Sequence, residues 1–198
     1  MTELGLLAGS GWASGINLYA VTVILGLAGR LGWADIPEVL TRTDVLVVAA
    51  VLYSIEFVGD KIPYVDNLWD VANTVIRPLG AAALGVVLAG ESESIGAALG
   101  GLVAGALALS AHSTKATTRA AVNTSPEPFS NSVISIAEDG LASGLTVAAI
   151  VAPIPTLIVV AVLVFAGGYV TVKLWGTVRR LLRRNRVRFR TPPADGAG

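Results

Sequence analysis

The sequence predicts an all-α, polytopic transmembrane helical bundle of about six spans, and three observations carry that prediction. Of its 198 residues, 54% are hydrophobic and only 14% are charged, whereas a soluble domain carries roughly 25% charged residues. Mean hydropathy is +0.70. The apolar residues form long uninterrupted runs, not the alternation that marks a membrane β-barrel. In lipid such runs must be helices, because every backbone N–H and C=O needs an internal partner.

A span takes about 20 mostly apolar residues, and candidates lie at 4–29, 43–59, 74–90, 95–112, 130–151 and 154–176. The first follows Met1-Thr2-Glu3 with no basic segment before it, which reads as a retained span and not a cleaved signal peptide. The second is short and runs into Glu56, and the fifth contains Glu138 and Asp139. Pro153-Ile154-Pro155 reads either as a tight turn between the last two spans or as a kink in one long helix, which leaves five spans.

Charge orients the bundle. With six spans and an internal tail, Lys61, Arg77, Lys115, Arg119, Lys173 and the seven arginines of 179–190 lie inside, twelve in all, against Arg30 and Arg42 outside. The positive-inside rule then places the chain in a cytoplasmic (inner) membrane with both termini cytoplasmic. Residues 1–178 form the membrane domain. Residues 179–198 form a basic tail without regular structure, able to touch anionic lipid head groups. Gly5/Gly9, Gly11/Gly15, Gly96/Gly100 and Gly101/Gly105 are each four apart. Such pairs let helices approach closely, within the chain or in a homo-oligomer.

This topology turns three polar stretches toward one cytoplasm-facing cavity with irregular polar loops. The first runs from Glu56 through Asp60, Lys61, Asp66 and Asp70 to Asn73 and Arg77, with Pro63 breaking it. Five charges within fifteen positions, next to apolar spans, are costly unless they pair or line water. The plainer reading is a solvated loop with local ion pairs. In the second stretch His112, Lys115 and Arg119 make a basic helical stripe. An irregular segment of Asn123, Ser125, Glu127 and Asn131 follows, and Ser135, Glu138 and Asp139 come next on span five. The basic stripe either touches lipid, binds a phosphate or carboxylate, or pairs with the acids of the first stretch. The third stretch is Ser14, Asn17 and Tyr19 in span one, where Asn17 either bonds a neighbouring helix or lines the cavity. Cysteine is absent and histidine occurs once, which excludes thiolate sites and a zinc site built on several imidazoles. Glu56, Asp60 and Glu138 are the candidates for a hard cation. No cofactor is expected, and nothing points to nucleic acid.

Ala13-Ser-Gly-Ile-Asn17-Leu-Tyr19, Glu56-Phe-Val-Gly-Asp60-Lys61-Ile-Pro63, Asp66, Trp69-Asp70, Lys115, Arg119, the run Asn123 to Asn131, and Glu138-Asp139 together resemble a bacterial membrane family, domain of unknown function 4126. The resemblance covers about residues 8–155 and implies no established activity. The Glu56 to Lys61 run also weakly resembles the Glu-x-Gly-Asp-Lys motif of calcium and manganese cation/proton exchangers, with two residues, not one, before the glycine.

Acids at membrane depth favour a small secondary transporter of a cation coupled to protons, with Lys61 as a counter-charge. The alternative is handling of an anionic lipid or phosphorylated carrier at the cytoplasmic leaflet through Lys61, Arg77, Lys115 and Arg119, as flippase or enzyme. A non-catalytic scaffold ranks third. No catalytic signature supports an enzyme.

Overall fold

The computed structural model describes residues 2–62, 65–90, 95–122 and 128–188, with the backbone alone for Thr2, Asp66, Asn67, residues 121, 122 and 128–131, and residues 177–188. Every regular element described is helical: α1 (Thr2–Arg30), α2 (Glu38–Thr41), α3 (Thr43–Gly59), α4 (Val65–Leu88), α5 (Ile95–Val122), α6 (Pro128–Val151) and α7 (Pro153–Arg188). Prolines open α6 and α7, where the missing N–H removes no intrahelical bond. One expectation changes as a result, and one open alternative is decided. The irregular segment expected through Asn131 gives way to helix at Pro128, because the second proline occupies a first helical position. Ala152 separates α6 from α7, so Pro153-Ile154-Pro155 starts a new helix and does not kink a continuous one. Asn123, Ser125 and Glu127 lie outside the described residues, as do the side chains of Asp66 and Asn131.

Helix α1 is not one rod. Asn17 has φ −151 and ψ 94, an extended residue between two helical halves. The direction of the chain after it follows from its neighbours. Asp139 of α6 meets Asn17, and Ala149 lies where a Cβ on Gly9 would go. Val151 and Pro153 line one cavity with Glu3 and Leu6. The first half of α1 and α6 therefore run side by side in opposite directions. That same cavity is also lined by Ala34, Asp35 and Pro37. A straight α1 of 29 residues, at about 1.5 Å per residue, would be about 43 Å long and would carry residue 34 to the far end of the bundle. The chain instead doubles back at Asn17, so that its second half returns to the end from which the first half set out. Leu40 and Leu46 then pack on Gly26, and α3 runs beside the second half to bring Glu56 and Asp60 to the level of the break.

By length and composition, five segments could cross a membrane: 3–30, 68–88, 95–120, 132–151 and 153–176. The outward faces agree: Phe165 is 80% exposed, Val172 76% and Leu68 73%, apolar surface that lipid covers and water does not favour. The chain is a multi-pass helical membrane protein. The first of the five segments corrects the expectation of a simple span, since each half of α1 is shorter than the about 20 residues a crossing takes. A second correction concerns the ends of the chain. Glu3 shares its end of the bundle with Pro153, from which α7 runs on for 36 residues, so the start of α1 and the end of α7 lie toward opposite ends of the bundle. Helix α7 also carries through the expected domain boundary at residue 178, helical to Arg188.

Inside, small residues set the spacing, as the glycine pairs anticipated for packing within one chain. A Cβ on Gly15 would collide with the main-chain carbonyl of Ala108, and one on Gly11 would sit 2.9 Å from Ala104 Cα. Helices α1 and α5 thus touch backbone to backbone, the contact that holds the break against the polar face of α5. Replacing Gly15 by alanine is expected to lower the melting temperature in detergent, with overpacking costing about 1–3 kcal/mol. Gly144→Ala, at a helical site with open space around it, is expected to leave it unchanged or raise it.

Candidate functional site

The break at Asn17 leaves main-chain groups without helical partners in the middle of a lipid-facing bundle, and the site is built around satisfying them. The Asn17 carboxamide oxygen accepts from the Ala20 N–H at 2.9 Å, capping the second half of α1. Its Nδ2 donates to Asp139 Oδ1 at 2.9 Å. The first half ends with carbonyls facing cations: Arg77 Nη1 donates to Gly15 O at 3.2 Å, and Lys115 Nζ to Ile16 O at 3.3 Å. Positive charge is favoured at a helix C-terminus.

Each of those cations is held by acids from other helices. Arg77 of α4, fully buried, pairs with Glu56 of α3, also fully buried. Asn73 Nδ2 donates to the same Glu56 oxygen at 3.4 Å. Arg77 Nη1 also lies 3.2 Å from His112 Nδ1. A guanidinium only donates, so Nδ1 accepts, and the imidazole is the neutral tautomer with its proton on Nε2. That proton points to Thr74 Oγ1 at 3.0 Å, whose own hydroxyl donates to the Asp70 carbonyl at 2.9 Å. On the other side, Asp60 accepts from Lys115 at 3.0 Å and Arg119 at 3.1 Å. Arg119 reaches Glu138 at 2.6 Å, and Lys115 lies 3.4 Å from the same carboxylate. Three acids and three bases thus form two clusters, Glu56 with Arg77 and Asp60 and Glu138 with Lys115 and Arg119, which together tie α3, α4, α5 and α6 to the interruption in α1.

The basic stripe His112, Lys115 and Arg119 is buried and turned inward. Of the readings open for it, pairing with the acids of the first polar stretch is the one the geometry realises. Asn17 both bonds a neighbouring helix and marks the break. Lys61 does not join: its Nζ donates to Phe57 O at 2.7 Å and sits 3.1 Å over the Phe57 ring. Asp70 is half-buried, with Oδ1 finding no partner among the described residues. Glu56, Asp60 and Glu138 do not converge as a cation cage, and no group of three acid, imidazole or thiolate side chains among the described residues is placed to hold a metal. Arginine and lysine occupy the space between them. The Gly15 and Ile16 carbonyls escaped sequence reasoning because main-chain acceptors carry no signature until the helix is seen to break. Polar Asn17 within an apolar run was the one available signal.

Asp60 lies just past α3 and is almost fully buried. Burial alone would raise its pKa, but Lys115 and Arg119 outweigh that and hold the carboxyl below its ordinary value near 3.8. A depressed folded-state value stabilises at pH above the ordinary pKa and stops doing so as pH falls through the lowered one. The melting temperature is therefore expected to fall as pH drops below about 4. Asp60→Asn, which removes one carboxylate from both Lys115 and Arg119, is expected to cost about 3–5 kcal/mol at neutral pH and to flatten that acid limb.

No curated protein and no solved structure matches the chain. A family model does, over residues 4–173, a stretch containing the break, the network and most of α7. The chain belongs to the family described as domain of unknown function DUF4126.

Proposed function

We propose that this protein is a small secondary transporter that couples movement of a cation to protons, with its polar site reached from the cytoplasmic side of an inner membrane. The observation that carries the reading is the interruption of α1 at Asn17, a break in a helix within the bundle whose exposed ends meet charged side chains. Transporters place substrate and coupling ions at such discontinuous helices, where half-helix ends and unwound carbonyls offer binding groups. Buried ionisable residues at membrane depth carry the same implication. The seven arginines of 179–190 favour the cytoplasm. With α1 doubling back, the N-terminal end then faces the opposite side together with Arg30 and Arg42.

One observation favours the second reading, handling of an anionic lipid or phosphorylated lipid carrier. A cavity of about 380 Å³, lined by Trp12, Ile16, Leu141 and Leu163, has Lys115 and Glu138 at its polar edge. That shape suits an alkyl chain beside a charged head. Against it, Lys115 and Arg119 are already engaged by Asp60 and Glu138, so a phosphate must displace a carboxylate.

The test is reconstitution in liposomes containing a pH-sensitive dye. A panel of sodium, potassium, magnesium, calcium and manganese salts is added outside. At least one cation is expected to drive proton efflux well above protein-free liposomes, and Asp60→Asn to reduce it about tenfold or more. No proton movement with any of the five, together with accelerated flipping of a fluorescent anionic lipid, would move the assignment to the second reading.

A further inference from the structure

The five ion pairs among three acids and three bases leave one deeply buried carboxylate out of account. Asp139 is only 6% exposed, accepts a single hydrogen bond, from Asn17 Nδ2, and its Oδ2 has no partner among the described residues. Ser135, one helical turn earlier on the same face of α6, is fully buried and its hydroxyl is likewise without a partner. Two unpartnered oxygens one turn apart therefore lie on the face of α6 that meets the break in α1. Unsatisfied buried polar groups cost free energy, and a proton on the carboxylate lowers that cost by removing its charge.

We infer that Asp139 is a proton-binding site, and that its proton occupancy is read by the break in α1 through Asn17. The inference rests on the transporter reading for its physiological role, but not for its chemistry. A divalent cation takes six or more oxygens, and among the described residues no group of three acid, imidazole or thiolate side chains is placed to supply them. A proton needs one carboxylate oxygen. It adds to Oδ2 from hydronium, which leaves as water, forming an O–H bond and discharging the carboxylate. The titratable groups around Asp139 come from several elements: Lys115 on α5, Asp60 and Lys61 just past α3, and the neutral phenol of Tyr53 on α3. The nearest bases are committed elsewhere, Lys115 to Asp60 and Glu138, and Lys61 to Phe57. Asn17 supplies the coupling. Its Nδ2 holds Asp139 while its Oδ1 caps the second half of α1. Discharging Asp139 turns a charge-assisted bond into a neutral one, roughly half as strong, and loosens the residue at which the chain reverses.

The test is infrared difference spectroscopy on the full chain in lipid bilayers, stepping pH between acid and alkaline values. A carboxylic-acid carbonyl band that titrates in the wild type is expected to be absent in Asp139→Asn. Asn17→Ala, which removes the single donor and leaves the carboxyl in place, is expected to displace the band's midpoint by roughly one pH unit. A circular-dichroism melt checks that both variants keep the fold. If Asp139→Asn proves unstable, the Asn17→Ala shift alone decides the matter. A spectrum in which neither change alters any titrating carbonyl band overturns the inference, whatever the liposomes show. A band that behaves as expected without cation-driven proton flux upholds the proton site and removes the transporter reading.

Discussion

An unpaired charge inside a lipid-facing bundle is prohibitively costly, and most of this structure follows from meeting that condition around a broken helix. Splitting α1 at Asn17 frees carbonyls at one half-helix end and N–H groups at the other. The carbonyls take Arg77 and Lys115. Those cations need carboxylates, which come from α3 and α6, and Arg119 joins because Asp60 and Glu138 together require a second base. The glycines of α1 then become obligatory, because only backbone contact with α5 brings Lys115 within reach of Ile16. Packing and electrostatics are thus one problem. A buried ion pair is weak evidence for stability in itself, but here the pairs also fix which helices meet.

The same arrangement bears on function. Had the chain needed only a stable bundle, leucine in place of each charged pair would serve as well or better. The chain instead retains a balanced network, a surplus carboxylate at Asp139, and a single asparagine that joins that carboxylate to the reversal in α1. This combination of charge, unsatisfied polar atoms and interrupted secondary structure is what the proposed transport and proton binding rest on.

Much of this was legible in the sequence, for identifiable reasons. Helix class and most helix positions follow from long apolar runs, which leave lipid no alternative. The stripe of His112, Lys115 and Arg119 followed from helical spacing and the acids from their clustering between Glu56 and Asp70. Spacing along one helix does not say what that helix packs against, so the pairing of the two remained one of several readings. The reversal at Asn17 was not legible. Hydropathy reads residues 4–29 as one span because it averages over composition, whereas a turn confined to one residue alters φ and ψ without altering the average. The choice of six spans over five, and with it the placement of both ends on one side, rested on that straight first span. Lys61 was misplaced for a different reason: its neighbours in sequence belong to the network, but at the end of α3 its side chain points back onto Phe57.

The central claim is that α1 enters the bundle and returns, and the absence of cysteine makes a direct distance measurement straightforward. Leu4 and Leu31 are both exposed, and spin labels on Leu4→Cys and Leu31→Cys, in the full chain in bilayers, report the separation of the two ends of α1. Two half-helices lying side by side are about 8–10 Å apart, so with the label arms the distribution should centre below about 25 Å. A continuous helix separates these positions by about 40 Å, and a distribution centred there would contradict the reversal and with it the site built upon it.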